Sequence, residues 1–87
     1  MNPVLAAKLL TLLTLAEVWL KMRAWDDLAF AHADMRELLD LPLPSIEINL
    51  VKPLSVAKIW RQKQNLEEVA RCHADMREWL EGFTANG

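Results

Sequence analysis

The stretch "LTLAEVWLKMRAWDDLAFAHADMRELLD" (residues 13–40) is written a second time, altered but legible, as "LSVAKIWRQKQNLEEVARCHADMREWLE" (residues 54–81). The two segments are offset by 41 positions and share the hexamer HADMRE at 32–37 and 73–78. Identity extends to Leu13/Leu54, Ala16/Ala57, Trp19/Trp60, Ala29/Ala70 and Leu39/Leu80, while Val18/Ile59, Asp26/Glu67, Asp27/Glu68 and Asp40/Glu81 are conservative pairs. A hexamer recurring by chance does not bring such flanks with it. We therefore read the chain as a single domain built by internal duplication, with repeat units at about 13–41 and 54–82 and a linker at 42–53.

Both units read as helix. No Pro or Gly interrupts residues 4–41 or 54–81. Apolar positions recur every seven residues at Val18, Trp25, His32 and Leu39, and again at Ile59, Leu66, His73 and Leu80. Leu28, Met35, Val69, Met76 and Phe83 lie three or four positions away from these, so each unit carries an apolar helical stripe. The stripe falters at Lys21 and Gln62, and "RQKQN" (61–65) holds no apolar residue, which predicts a break in each unit near 23–26 and 63–66. The fold class that follows is all-α: two tandem αα-hairpins, four helices, joined by an extended linker bounded by prolines.

The boundary signals are local. Asn2 before Pro3 suits an N-cap and first turn. "NLEE" (65–68) offers Asn65 as a cap with Glu68 three positions on. Ser55 is a candidate cap for the second unit, Gly82 a candidate stop for the last helix, and Arg77 stands one turn from Glu81. In the linker, "SIEINLV" (45–51) alternates apolar and polar residues with the period of a half-buried strand. With no second strand in the chain, the segment is expected to be an extended cover over the helices; the alternative is a strand that pairs with another molecule.

Composition narrows function without naming it. A chain of 87 residues buries only roughly 60–65% of its unfolded surface, so a second copy or a partner would add materially to its stability. The net charge of −2 argues against general nucleic-acid binding. A single Cys excludes an intrachain disulfide and a Cys-based zinc site, and Cys72 reads as a small buried residue of a reducing compartment. The N-terminal run lacks a basic leader and is interrupted by Lys8 and Glu17, so a soluble cytoplasmic helix without membrane partners is expected. Its polar residues Lys8, Thr11, Thr14, Glu17 and Lys21 form one narrow stripe. The rest is apolar, and Leu9, Leu12 and Leu13 become candidates for self-association.

The chemistry-bearing residues are few. His32 and His73 occupy equivalent places, and two units packed about a twofold axis would let their rings approach each other; each reads as a hydrogen-bonded histidine at a helix packing contact. A metal-binding or enzymatic helical protein using these histidines is the alternative, opposed by Arg36 and Arg77 one turn away. The polar members of the hexamer, Asp34, Arg36 and Glu37 with Asp75, Arg77 and Glu78, exceed what helix packing requires to match. They are candidates for a repeated outward contact with a protein partner. Segment 51–63 carries Lys52, Lys58, Arg61 and Lys63 beside Trp60 and no acid, the basis of a nucleic-acid-binding alternative. No glycine-rich phosphate loop, nucleophile–base arrangement or paired catalytic carboxylates are present, and no catalytic residue or cofactor is assigned. The expected function is a small non-enzymatic helical interaction module (adaptor, assembly chaperone or inhibitor) acting as a homodimer or bound to a protein partner.

Overall fold

The computed structural model describes residues 3–40 and 48–85, with the side chains of Ile48, Thr84 and Ala85 left aside. It contains α1 (Pro3–Lys21), α2 (Trp25–Leu39), α3 (Ile48–Gln62) and α4 (Leu66–Ala85), and no strand among the described residues. Each of α1 and α3 packs against both α2 and α4, so the four helices close a ring. The α2–α3 side is its loosest seam.

The breaks between helices share one backbone construction. At the end of α1, the Arg23 N–H bonds to the Leu20 carbonyl (3.0 Å) and the Ala24 N–H to that of Trp19 (2.9 Å). At the end of α3, Gln64 bonds to Arg61 and Asn65 to Trp60, each at 2.9 Å. This pair of bonds closes a helix through one left-handed residue, and Arg23 (φ 56°) and Gln64 (φ 54°) supply it. Glycine ordinarily takes that position, which is why neither turn carries a glycine signal. The caps on the following helices differ. Asn65 Oδ1 accepts the Glu68 N–H at 3.2 Å, whereas Ala24 offers α2 no side-chain cap. Asn65→Ala is expected to cost about 1 kcal/mol in urea unfolding, while Ala24→Asn tests whether α2 gains by a similar mechanism.

Four boundary expectations change. The strand-like residues Ile48, Asn49, Leu50 and Val51 form the first turn of α3, while residues 41–47 lie outside those described. Four alternating residues fit either period; Leu50 and Leu54, one turn apart and both buried, select the helix. The linker therefore does not run to Pro53. That proline sits inside α3 and forfeits one backbone bond at a cost of about 3 kcal/mol. Burying Leu50 and Leu54 contributes about 1.5–3 kcal/mol each and offsets it. Ser55 is mid-helix and caps nothing. Gly82 does not stop α4, which continues to Ala85 while Phe83 packs on the core and stacks on Trp79 (centroids 6.0 Å, 12° between planes). Pro3 does open α1; Asn2 lies outside the described residues.

The core has two apolar clusters with a polar layer between them. One unites Leu5, Leu9, Leu13, Met35, Leu39, Leu50, Leu54, Met76 and Leu80. The other gathers Ala16, Leu20, Leu28, Ala31 and Val69 under Trp19, Trp25, Trp60 and Leu66. His32 follows Leu28 and precedes Met35 on α2, as His73 lies between Val69 and Met76 on α4. Val18 and Ile59, read as members of the apolar stripe, are exposed instead (45% and 52%). The turns at 22–24 and 63–65 reverse the chain, so the phase of α2 and α4 does not carry back into α1 and α3.

Candidate functional site

The centre of the molecule is a chain of three nitrogen-bearing side chains. His32 Nε2 and His73 Nε2 lie 2.8 Å apart, with the rings nearly perpendicular at 80°. His32 Nδ1 lies 2.9 Å from Arg61 Nη1. Arginine only donates, so His32 Nδ1 accepts, His32 carries its hydrogen on Nε2 and donates it to His73 Nε2, and His73 carries its own on Nδ1. That last N–H is buried and has no partner among the described residues. The residue 41 positions before Arg61 is Leu20, which has no polar atom to offer in return.

Both imidazoles are held neutral. Burial lowers the His32 pKa to about 3, helped by the neighbouring His73 and Arg61. Burial also lowers His73 to about 4; Glu17 acts upward and Arg77 downward. A shared metal ion would hold two imidazole nitrogens farther apart, each about 2.0–2.1 Å from the metal in a tetrahedral arrangement. A 2.8 Å separation is that of a direct hydrogen bond. No cluster of three or more His, Cys, Asp or Glu fit for a metal occurs among the described residues.

The two hexamers occupy different surroundings. Arg77 turns onto α1, where Nη2 and Nε meet the Glu17 carboxylate at 2.6 and 3.0 Å in a two-pronged bridge. Nη2 also donates to Thr14 Oγ1 (2.8 Å) and Nη1 to Glu81 (3.2 Å). The Arg77–Glu17 bond raises the guanidinium pKa further. Arg77 is therefore a clamp between α1 and α4. Among the described residues, Arg36 makes only an exposed bridge to Asp40 at 3.1 Å. Asp34, Glu37, Asp75 and Glu78 are exposed. Leu9 and Leu13 are fully buried within the protomer and Leu12 is half-buried, so a partner cannot reach the first two without opening the core.

The remaining candidates separate in the same way. Cys72 is buried, and desolvation with the nearby Asp75 and Glu68 pushes its thiol pKa up, which suppresses the thiolate. Trp60 is half-buried against the second cluster, and Lys63 Nζ lies over its ring at 5.3 Å from the centroid. The basic segment divides: Lys52, Lys58 and Lys63 are exposed, whereas Arg61 turns inward to His32. Sequence reading placed Arg61 among surface cations, because its histidine partner stands 29 positions away.

Searches of family models, curated proteins and solved structures find no match to this chain.

Proposed function

We propose that this chain is a small, non-enzymatic helical interaction module, formed by two tandem hairpins from a duplicated unit, that works as a homodimer in the cytoplasm. The observation that carries the reading is the outer seam of α1. Positions 4, 8, 11, 15, 18 and 22 alternate spacings of four and three, the repeat that lets one helix pack along another. All six are exposed, and Val4 (62%), Leu15 (43%), Val18 (45%) and Met22 (65%) are large and apolar. Thr11 bonds its hydroxyl to the Ala7 carbonyl at 3.0 Å, so its polar group is satisfied within the helix. A second α1 supplies the same stripe in return, as a twofold interface requires.

Charge is segregated in a way that favours a protein partner. The outer surface of α2 sets Asp26, Asp27, Asp34 and Glu37 about the exposed Phe30, whereas Val56 and Ile59 on α3 are flanked by Lys52 and by Lys63 in the turn that follows. Opposed charges of this kind orient and speed association more than they tighten it.

Sedimentation equilibrium is expected to give a dimer for the wild-type chain and a monomer of unchanged helicity for Leu15→Glu with Val18→Glu. A wild-type monomer at every concentration rejects the reading. α1 also has the length and apolar composition of a membrane-spanning helix. Flotation of the chain with phosphatidylcholine vesicles, lost on the same two substitutions, would assign the seam to lipid instead.

A further inference from the structure

We propose that the groove between α2 and α3 is a binding site for a small organic anion, a carboxylate or phosphate carried on an apolar body. The argument starts from the opposite side of the ring. There, Thr14 and Glu17 of α1 receive Arg77 of α4, and the protein supplies its own carboxylate to the seam. The positions 41 away are Ser55 and Lys58 on α3 and Arg36 on α2. The hydroxyl and the arginine are retained, but the carboxylate has become a lysine. Leu20 has likewise become Arg61.

Among the described residues, the α2–α3 seam therefore carries an arginine with no acid to clamp it across the helices. Arg36, Ser55, Lys58 and Arg61 line a cavity of about 740 Å³, together with His32. Its volume falls in the range of small-molecule sites. Ala29, Ala33 and Leu54 give it an apolar wall.

Two acids, Glu37 and Asp40, also line the cavity against its three cations, which leaves one positive charge in excess. Asp40 holds Arg36 through an exposed bridge of 3.1 Å, and Glu37 is solvent-facing. Neither Lys58 nor Arg61 is paired with a carboxylate among the described residues. Arg61 is half-buried, its pKa lowered by burial, and it donates only to a neutral imidazole nitrogen. A guanidinium has five N–H donors, so four remain for a ligand while His32 fixes its orientation. An external carboxylate or phosphate between Arg36, Lys58 and Arg61 would occupy the role that Glu17 plays for Arg77, with two further cations in support. This proposal stands apart from self-association, because the α1 seam contributes nothing to the groove.

The test is an NMR titration of the full chain at constant ionic strength with phenyl phosphate, phenylacetate and inorganic phosphate, with benzyl alcohol as the uncharged control. Saturable shifts are expected at Ala33, Arg36, Ser55, Lys58 and Arg61 with phenyl phosphate or phenylacetate and not with benzyl alcohol. Preference between the two organic anions identifies the headgroup, and tighter binding of either than of inorganic phosphate supports the apolar wall. Lys58→Glu returns an internal carboxylate to the seam. It should weaken binding at least roughly tenfold, without loss of helicity and with a higher melting temperature. Lys58→Gln, which removes the charge without replacing it, should weaken binding less. Shifts scattered over all surface cations, unchanged binding in Lys58→Glu, or no saturable shift with any of the anions would overturn the proposal.

Discussion

Between pH 7 and pH 5 the protein is expected to lose on the order of 4 kcal/mol of stability through two side chains, His32 and His73. In the fold both are neutral, with pKa values lowered from 6.5 to about 3 and about 4 because burial opposes the charged ring. Unfolded, each titrates near 6.5 and takes up a proton as the pH falls below that value. In the window from 6.5 down to about 4 the unfolded chain binds more protons than the fold, so stability is full above 6.5 and falls with acidification. The loss is about 1.4 kcal/mol per pH unit for each ring. A second cause acts in the same direction: a proton added to His73 Nε2 turns the 2.8 Å hydrogen bond into a contact between two donors, and one added to His32 Nδ1 does the same to its contact with Arg61. Small domains have total stabilities of about 5–15 kcal/mol, so the loss is large enough to unfold a substantial fraction of molecules. Urea unfolding at pH 7.5 and pH 5 measures it. The double substitution His32→Leu with His73→Leu should flatten the dependence over this window, because the apolar layer has nothing to protonate. A wild-type dependence no steeper than that of the double variant would show that the pair is not held neutral.

The second large effect separates two leucines on α1. Leu13 is fully buried in the cluster with Leu9, Met35 and Met76, and Leu13→Ala should cost about 2–5 kcal/mol through lost burial and the cavity left behind. Leu15, two positions on, is 43% exposed, and Leu15→Ala should change protomer stability by less than about 1 kcal/mol. If self-association uses the outer seam, Leu15→Ala lowers the dimer population while Leu13→Ala lowers the melting temperature at every concentration. Thermal unfolding across a dilution series distinguishes them, and equal effects from the two substitutions would contradict the rotation of α1 about its axis.

The histidine layer also bears on why the helices settle in one register. Each ring is satisfied on Nε2 only by the other, so a slide of α2 against α4 by one turn strands two buried nitrogens at about 1–3 kcal/mol apiece. The cost of the unpartnered His73 Nδ1–H is already borne in the observed arrangement.

Much of this architecture is written locally. Turns at 22–24 and 63–65 follow from the polar break at Lys21 and in "RQKQN", because a helix with no apolar residue on its inner face gains nothing by continuing. The Asn65 cap and the Arg77–Glu81 pair span three and four residues, distances that helix geometry alone dictates. The meeting of His32 and His73 accords with their matching places 41 positions apart, since matching residues that lie near a common axis face one another.

The rest required the fold, and the reason in each case is distance along the chain. Arg77 reads as an outward member of the hexamer until α1 brings Glu17 and Thr14 beside it from 60 and 63 residues away. Arg61 reads as a surface cation until His32 comes within 2.9 Å. Leu9 and Leu13 read as an interface on a helix apolar around most of its circumference, and only packing against α2 and α4 decides which arc lies inside. Local periodicity determined by itself that the two matching segments are helical, that each breaks near its middle, and which two histidines correspond. Tertiary packing alone decided which arginine is clamped and which is left open, because a single exchange of Glu17 for Lys58 at equivalent places matters only once a second helix lies across it.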